Sequence, residues 1–383
     1  MLNLKLLSHS ELRLSDRAKL IFYRTVEKQA EQYAFKKYVR HFIYRTKTNY
    51  KRVKERKELS QQQKKEILSY YKGLTGKTVP LIDHEYLYSR TGKYSKEYIP
   101  IGMYYADIVG RANRLDCYNS YSDKNLDEIL LPEVKHPHSI LKNINGYYYF
   151  EGRPVSKDEA VTLCSNLGEV MMKPSLAMKG DGVIRLCVRN GVTEDTGRPI
   201  QEIFDEYHKD FLIQEVVRQH ERMAALNPTS VNTIRIMTYR SGMEVLLVYA
   251  VVRIGRKGEV IDNQSVGGMS AQIDDEGKLC KYAFGVAGDD KIEKTDSGIV
   301  LEGYEIPSYK EAIEIVKKLH YKLPLFDLIG WDLAIGEDGE PILIEWNGEP
   351  DPSQTACGTG FGSLTERIIS EIWNRPNTRK CNL

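Results

Sequence analysis

The residues best suited to chemistry are Asp332, Glu345 and Asn347, which fall in one stretch from Gly330 to Asn347. Two apolar runs flank Glu337-Asp338-Gly339, so the stretch reads as a β-hairpin whose second strand ends at Asn347. Asp332, near the start of the first strand, lies opposite the end of the second, and Glu345 and Asn347, two apart, share a face. Two carboxylates and an amide oxygen make a hard, all-oxygen set. Magnesium takes such a set, with water and nucleotide phosphates completing its shell. A solvated polar strand end is the plainer reading. Against it stand Ile342, Leu343, Ile344 and Trp346, which mark a largely buried strand where unpaired carboxylates are costly.

A second constellation lies upstream. In Lys173-Pro-Ser-Leu-Ala-Met-Lys-Gly-Asp-Gly-Val183 a lysine ends a strand just before a loop of small residues. Backbone N–H groups of such a loop can cradle phosphate oxygens, with the lysine as a point charge beside them. The loop is not a Walker motif, because no Gly-Lys-Ser/Thr opens a helix after it. Alone, Gly180, Asp181 and Gly182 would read as a turn between strands, and their position ahead of the hairpin gives them weight.

The elements that must position these residues are legible as patterns. The first 128 residues form a basic region: cations from Lys36 to Lys57 are interleaved with tyrosines, and apolar residues from Leu20 to Ile43 recur at helical spacing. A solvated face of an amphipathic helix is the plain account, and contact with anionic lipid at the cytoplasmic membrane face is the minority one. Ser60 with Gln63 forms a capping box opening a second helix. From about Leu130 strands and helices alternate: a helix capped by Ser156 and Glu159 and ended by Gly168, strands at 169–173 and 183–188, a helix at 200–207 and a strand at 211–217. Then come a hairpin over Asn232–Ile254, a helix capped by Ser308 and Glu311, the acidic hairpin and a closing helix at 364–373. The fold class expected is α+β, with lobes at 129–216 and 217–383 following the helical region at 1–128.

Composition narrows the function classes. The chain has 383 residues, 41% hydrophobic and 28% charged, enough for a sizeable core. No apolar run approaches the roughly 20 residues that span a bilayer, and no signal peptide is evident, so a cytoplasmic protein is expected. The six cysteines include no Cys-x-x-Cys pair, which argues against a zinc site or a disulfide framework. A net charge of +2 points to no nucleic-acid partner.

Taken together, the motifs resemble those of ATP-grasp proteins, most of all the sugar-transfer-associated ATP-grasp family, over about Tyr98 to Trp373. Ser122-Asp-Lys-Asn125 resembles the family's first lysine motif, Lys173 its second, and Gly180-Asp-Gly182 its flexible phosphate lid. Phe211–Val217 resembles the strand linking the two lobes. The resemblance implies two α+β lobes with ATP between them and Mg2+ as cofactor. It also implies an adenine edge at Gln214, Glu215 and Val217, and a ribose-binding acid at Glu221. Asn232-Thr-Ile-Arg-Ile236 resembles the strand whose arginine meets the terminal phosphate; the planar fork of Arg235 suits that role, against the plainer reading of an arginine paired to a nearby acid. Asp332, Glu345 and Asn347 match the family's magnesium ligands in type and order.

The chemistry implied is an ATP-dependent carboxylate–amine ligation through an acylphosphate, with Lys124, Lys173 and Arg235 stabilising charge and no enzyme nucleophile. The family name implies a setting in surface-polysaccharide assembly, with small carboxylate and amine substrates that are sugar-linked. Position between the nucleotide elements suggests Arg111, Arg114, Asn263, Gln264, Ser265, Gly267 and Gly268 as acceptor contacts. A small-molecule kinase on the same site is the alternative, and a non-catalytic nucleotide-binding scaffold the third reading.

Overall fold

The computed structural model describes residues 14–177, 180–256, 258, 262, 267–285 and 291–379. A helical region leads, with α1 (Leu14–Tyr50), α2 (Gln61–Thr75) and α3 (Ile82–Thr91). The helix expected over Leu20 to Ile43 is one element of 37 residues, but the apolar face expected of it does not run its length, because Ile21 and Val26 are exposed. Only its second half is packed: Ala34 and Phe42 are buried, whereas Ile21, Phe22 and Tyr23 are exposed. The expected capping box opens α2, where the Gln63 N–H donates to Ser60 Oγ at 3.2 Å and the Ser60 N–H to Gln63 Oε1 at 2.8 Å.

The first sheet has β1 (Ser139–Ile144), β2 (Tyr147–Phe150), β3 (Arg153–Val155), β4 (Gly168–Pro174), β5 (Ile184–Arg189), β6 (Val192–Thr193) and β7 (Phe211–Glu215). Its order is β3-β2-β1-β7-β4-β5-β6, so β7 is inserted between strands that precede it. Helices α4 (Lys157–Leu163) and α5 (Ile200–Tyr207) cover one face, where Tyr148, Ala160, Met172, Leu186, Phe204, Phe211 and Ile213 form a core. Alternation sends Met171, Lys173 and Gln214 to the other side, where they line a cleft.

The second sheet has β8 (Thr233–Ser241), β9 (Glu244–Ile254), β10 (Met269–Ile273), β11 (Leu279–Phe284), β12 (Lys291–Ile292), β13 (Leu328–Ile335) and β14 (Pro341–Asn347), in the order β12-β11-β10-β9-β8-β13-β14. Helix α6 (Glu221–Leu226) leads into it, and α7 (Tyr309–His320) covers one face through Ala312, Val316 and Leu319 against Ile234, Ile236, Trp331 and Leu333. On the opposite face Met237, Tyr239, Tyr249 and Leu328 pack against α2 and α8 (Thr365–Ile372). Further along that face the apolar residues give way to Arg235, Arg253 and Asp332. Every residue of β13 is buried. A polar ladder fixes it: Trp331 Nε1 donates to Thr238 Oγ1 at 2.8 Å, Thr238 Oγ1 meets His320 Nδ1 at 2.7 Å, and His320 Nε2 meets the Phe326 carbonyl at 2.9 Å.

One expected cap is not made. Ser308 precedes α7 with φ of 52°, and this left-handed backbone turns its hydroxyl away from the first helical turn. Its Oγ donates instead to the Gly339 carbonyl at 2.6 Å, tying the helix to the β13–β14 turn. The strand expected over 211–217 ends at Glu215. Among the described residues no helix is long and apolar enough to cross a membrane, and Cys117, Cys164, Cys187, Cys280 and Cys357 are free thiols.

Candidate active site

A cleft of about 1230 Å³ lies between the two sheets, and residues of α1 and α3 also border it. Its second-sheet wall is built by register. Asp332 on β13 sits opposite Arg235 of β8 on one side and Glu345 of β14 on the other, and Gly330 pairs with Asn347. The next pair is Leu333 with Leu343, so Ile344 is an extra residue on β14. This bulge decides the site. Leu343 and Trp346 go to the core, while Ile344, Glu345 and Asn347 all line the cleft. Unbroken alternation would have put Glu345 on the face of Leu343.

Charge on this wall is paired before any ligand arrives. The Asp332 carboxylate, 2% exposed, takes a two-pronged contact from Arg235 through Nε and Nη2, and Arg253 Nη1 lies 3.3 Å from its Oδ2. Burial pushes the Asp332 carboxyl up, but the two guanidinium groups pull harder and hold it below the usual range. Burial likewise disfavours the Arg235 charge, and Asp332 more than offsets that. Arg235 thus has both the acid of the plainer reading and a place on the cleft wall. Asn347 Nδ2 reaches Asp332 Oδ2 and Glu345 Oε1, each at 3.4 Å.

The three side chains therefore converge, and their donor set fits a hard divalent cation such as Mg2+ in type, with the charge of Asp332 already shared by two arginines. For all three to offer oxygen, the Asn347 amide must turn over and present Oδ1 in place of Nδ2. Among the described residues no group of three or more His, Cys, Asp or Glu gathers as metal ligands. The candidate set has only two such residues, and its third donor is the amide.

From the other side come two lysines. Lys124 opens a short 3₁₀ turn whose Asp123 side chain accepts from the Asn125 N–H at 3.0 Å. Its Nζ donates to the Ala177 carbonyl at 2.7 Å and lies 3.6 Å from Glu345 Oε2, so it bridges the sheets. Burial, then the charge of Lys124, push the Lys173 ammonium down to about 8, with Glu345 and Asp127 pulling the other way. Burial pushes the Asp127 carboxyl up to about 7 against the pull of Lys173 and Lys124. Four ionisable groups share one desolvated pocket, an arrangement that costs stability and that functional sites tolerate.

Gly180 and Asp181 line the cleft next to Lys173. Gly182 has φ of 68°, and a Cβ there would stand 2.8 Å from Pro174 Cγ, so the chain turns tightly against the end of β4. The Tyr207 hydroxyl donates to the Gly182 carbonyl at 2.5 Å. Gln214, Glu215 and Val217 also line the cleft. The Gln214 amide donates to the Pro137 carbonyl at 3.2 Å and Ser139 Oγ at 3.0 Å, and the Glu215 N–H to the His138 carbonyl at 3.0 Å.

Other candidates are not brought there. Glu221 is exposed in the first turn of α6, set there by a local cap in which His220 Nδ1 accepts from the Arg222 N–H at 3.2 Å, and it does not line the cleft. Arg111 donates to the Arg375 carbonyl at 2.6 Å and lies over the Trp373 ring, fixing the C-terminal segment. Arg114 is exposed and paired with Asp116 at 2.9 Å. Gly267 and Gly268 precede β10 outside the cleft lining, and Asn263, Gln264 and Ser265 lie outside the described residues. Two residues of the site escaped sequence reasoning. Arg253 is a lone charge in an apolar strand, the same signal that singled out Arg235, and Asp127 stands one helical turn after Lys124.

The model of a protein family described as sugar-transfer associated ATP-grasp matches residues 107–369. The chain belongs to this family. No curated protein sequence matches it. Among solved structures, an ATP-grasp ligase, PsnB, complexed with minimal precursor is 12% identical, with TM-score 0.36 over 68% of this chain and 64% of that one. An L-amino acid ligase from Bacillus licheniformis is 11% identical, with TM-score 0.39 over 67% and 48%. D-alanine–D-alanine ligase from Helicobacter pylori is 15% identical, with TM-score 0.39 over 69% and 62%. The chain thus spans between about half and just under two thirds of the length of these structures.

Proposed function

We propose that this cleft binds ATP with Mg2+ and that the protein is a cytoplasmic ATP-dependent ligase joining a carboxylate to an amine. One observation carries the reading: Lys124, Lys173, Arg235 and Arg253 converge on the same cleft as the oxygen donors Asp332, Glu345 and Asn347. Two lysines facing a wall of arginines and oxygen donors suit a polyanion that arrives with a divalent ion. The adenine would lie against Gln214, Glu215 and Val217, with the segment at Gly180–Gly182 closing over the phosphates and the lobes meeting near 129 and 217.

Bound Mg2+, held by Asp332, Glu345 and Asn347, would offset triphosphate charge. The residues of the chain do the rest. Lys124 and Lys173 hold the phosphate oxygens in place, and the fork of Arg235 receives charge developing on the transferred group. A substrate carboxylate oxygen attacks the γ-phosphorus, the bond to the β-phosphate bridging oxygen breaks, and ADP leaves an acylphosphate. The nitrogen of an amine then attacks the acyl carbon, inorganic phosphate departs and the nitrogen loses a proton as the amide forms. Closure of the Gly180–Gly182 segment over the cleft would exclude water from the acylphosphate.

The description of the family as sugar-transfer associated supports sugar-linked substrates, such as a uronic acid with an amino acid or amino sugar, in capsule or other surface-polysaccharide biosynthesis. ADP release measured against a panel of uronic acids and amino acids tests this. Release that needs a carboxylate and an amine together supports ligation. Release with one hydroxyl or amide acceptor alone would replace it with kinase chemistry, and nucleotide binding without any turnover would leave a scaffold.

A further inference from the structure

The outer face of α1 carries a feature the cleft does not use. At 100° per residue, Val26 and Tyr33 fall within about 60° of Phe22 around the helix axis, and so do Lys36, Lys37, Arg40 and Lys47 further along. The apolar part is bare: Phe22 is 64%, Val26 46% and Tyr33 60% exposed. The cations that continue the stripe are exposed as well. Ala34, Phe42 and Thr46 point the other way and are buried. The acids Glu27 and Glu31 lie off the stripe.

Charge is concentrated in the second half of α1 and just after it, and four of these cations are the ones on the stripe. Residues 36–57 hold ten cations and one acid, a net +9 in a chain whose total is +2, which leaves −7 for the remainder. We infer that this face of α1 docks on an anionic lipid bilayer, with Phe22, Val26 and Tyr33 entering the headgroup boundary and Lys36, Lys37, Arg40 and Lys47 meeting lipid phosphates. Exposed aromatic and aliphatic side chains in line with a basic run let one surface combine shallow apolar insertion with attraction to lipid phosphates. A nucleic acid would use the cations and could stack a base on a ring such as Phe22, but it has no use for the exposed Val26. Thr46 and Asn49, on the opposite face, line the cleft, so docking would hold the cleft one helix diameter, roughly 10 Å, from the bilayer surface.

The test is co-sedimentation of the full chain with vesicles of phosphatidylcholine alone and with added phosphatidylglycerol. Binding is expected only to the anionic vesicles and is expected to fall steeply as salt rises from about 0.1 to about 0.5 M. Lys36→Glu/Lys37→Glu/Arg40→Glu should lower it on the order of a hundredfold, and Phe22→Ser/Tyr33→Ser severalfold, with helical circular dichroism and melting unchanged in both. Equal binding to neutral vesicles, or full binding by both variants, overturns the proposal. So does capture of nucleic acid with vesicles ignored, or a dimer that Phe22→Ser/Tyr33→Ser dissolves while vesicles are ignored. A failed ligase assay would leave this result untouched.

Discussion

Among the described residues the two sheets have equal strand numbers and different support. The second is packed on both faces, by α7 on one side and by α2 and α8 on the other, and its central β13 is buried along its whole length. The first has its apolar core on the face under α4 and α5, and its other face is polar, covered in part by the 124–128 segment through Asn125 on the Asn143 carbonyl and Glu128 on Lys142. The hard electrostatic work is placed where backing is strongest: Asp332, Arg235 and Arg253 occupy neighbouring strands of the doubly packed sheet, where a sub-ångström fit can be kept. Lys173 and the Gly180–Gly182 segment belong to the sheet whose second face is polar and borders the cleft. The tether is the 124–137 segment, where Lys124 reaches Glu345 and the Leu343 N–H donates to the Lys135 carbonyl at 2.8 Å. A rigid wall facing a lightly held one is what closure over a nucleotide needs.

The sharpest way to break this contrast is within the rigid wall itself. Asp332→Asn takes the paired carboxylate from the largely buried Arg235 and Arg253, leaving only the weaker pull of Glu345 and Asp262, and should cost about 3–5 kcal/mol of stability, along with all turnover. Glu345→Gln keeps the volume at a partly exposed strand position. It should lower turnover on the order of 10²–10³-fold with an unchanged denaturation midpoint. Chemical denaturation and ADP release on both variants check this. If the two lose stability equally, Asp332 is not the structural half of the pair.

Glycines compare the walls next. A Cβ at Gly330 would stand 2.7 Å from Pro350 Cβ, between β13 and a loop held by Tyr104 Oη on the Pro350 carbonyl at 2.7 Å. Gly330→Ala should therefore cost about 1–3 kcal/mol. Gly182→Ala meets Pro174 as closely but in the lightly packed sheet. It should raise the KM for nucleotide severalfold with a smaller loss of melting temperature, and a reversed order would contradict the assignment of rigidity.

Much of this was legible in advance because it is local. The Ser60–Gln63 box, the Asn232–Ile254 hairpin and the opposition of Asp332 to Glu345 follow from spacing and turn chemistry. What was not legible is non-local. Nothing in the residue pattern of Pro341–Asn347 announces the bulge at Ile344, and the expected alternation of Glu345 and Asn347 holds only because the bulge falls before them. Arg253 belongs to the site because β9 lies beside β8, which no single strand reveals. Ser308 followed by Glu311 has the spelling of a cap, yet tertiary contact with Gly339 took the hydroxyl. Arg111 and Arg114 are close in sequence to the cleft elements, and the C-terminal segment claims one while Asp116 pairs with the other at the surface.

The last comparison separates the walls by pH. Asp332 is held below the usual carboxylate range and stays charged through neutral and alkaline pH, so the second-sheet wall is constant there. Lys173 is different, because burial brings it from 10.5 down to about 8. Above that pH the unliganded cleft loses a positive charge, and a nucleotide must bring the proton back. Affinity should then fall by up to about tenfold per pH unit, with proton uptake on binding visible as a dependence of calorimetric heat on buffer. Stability moves oppositely. Between about 8 and 10.5 the unfolded chain holds more protons at this residue than the folded one, so the Lys173 contribution to stability rises with pH. Lys173→Ala should bind nucleotide roughly 10–100-fold more weakly at neutral pH and lose both slopes. A wild-type affinity that is flat through pH 9 would mean that Lys173 does not meet the phosphates.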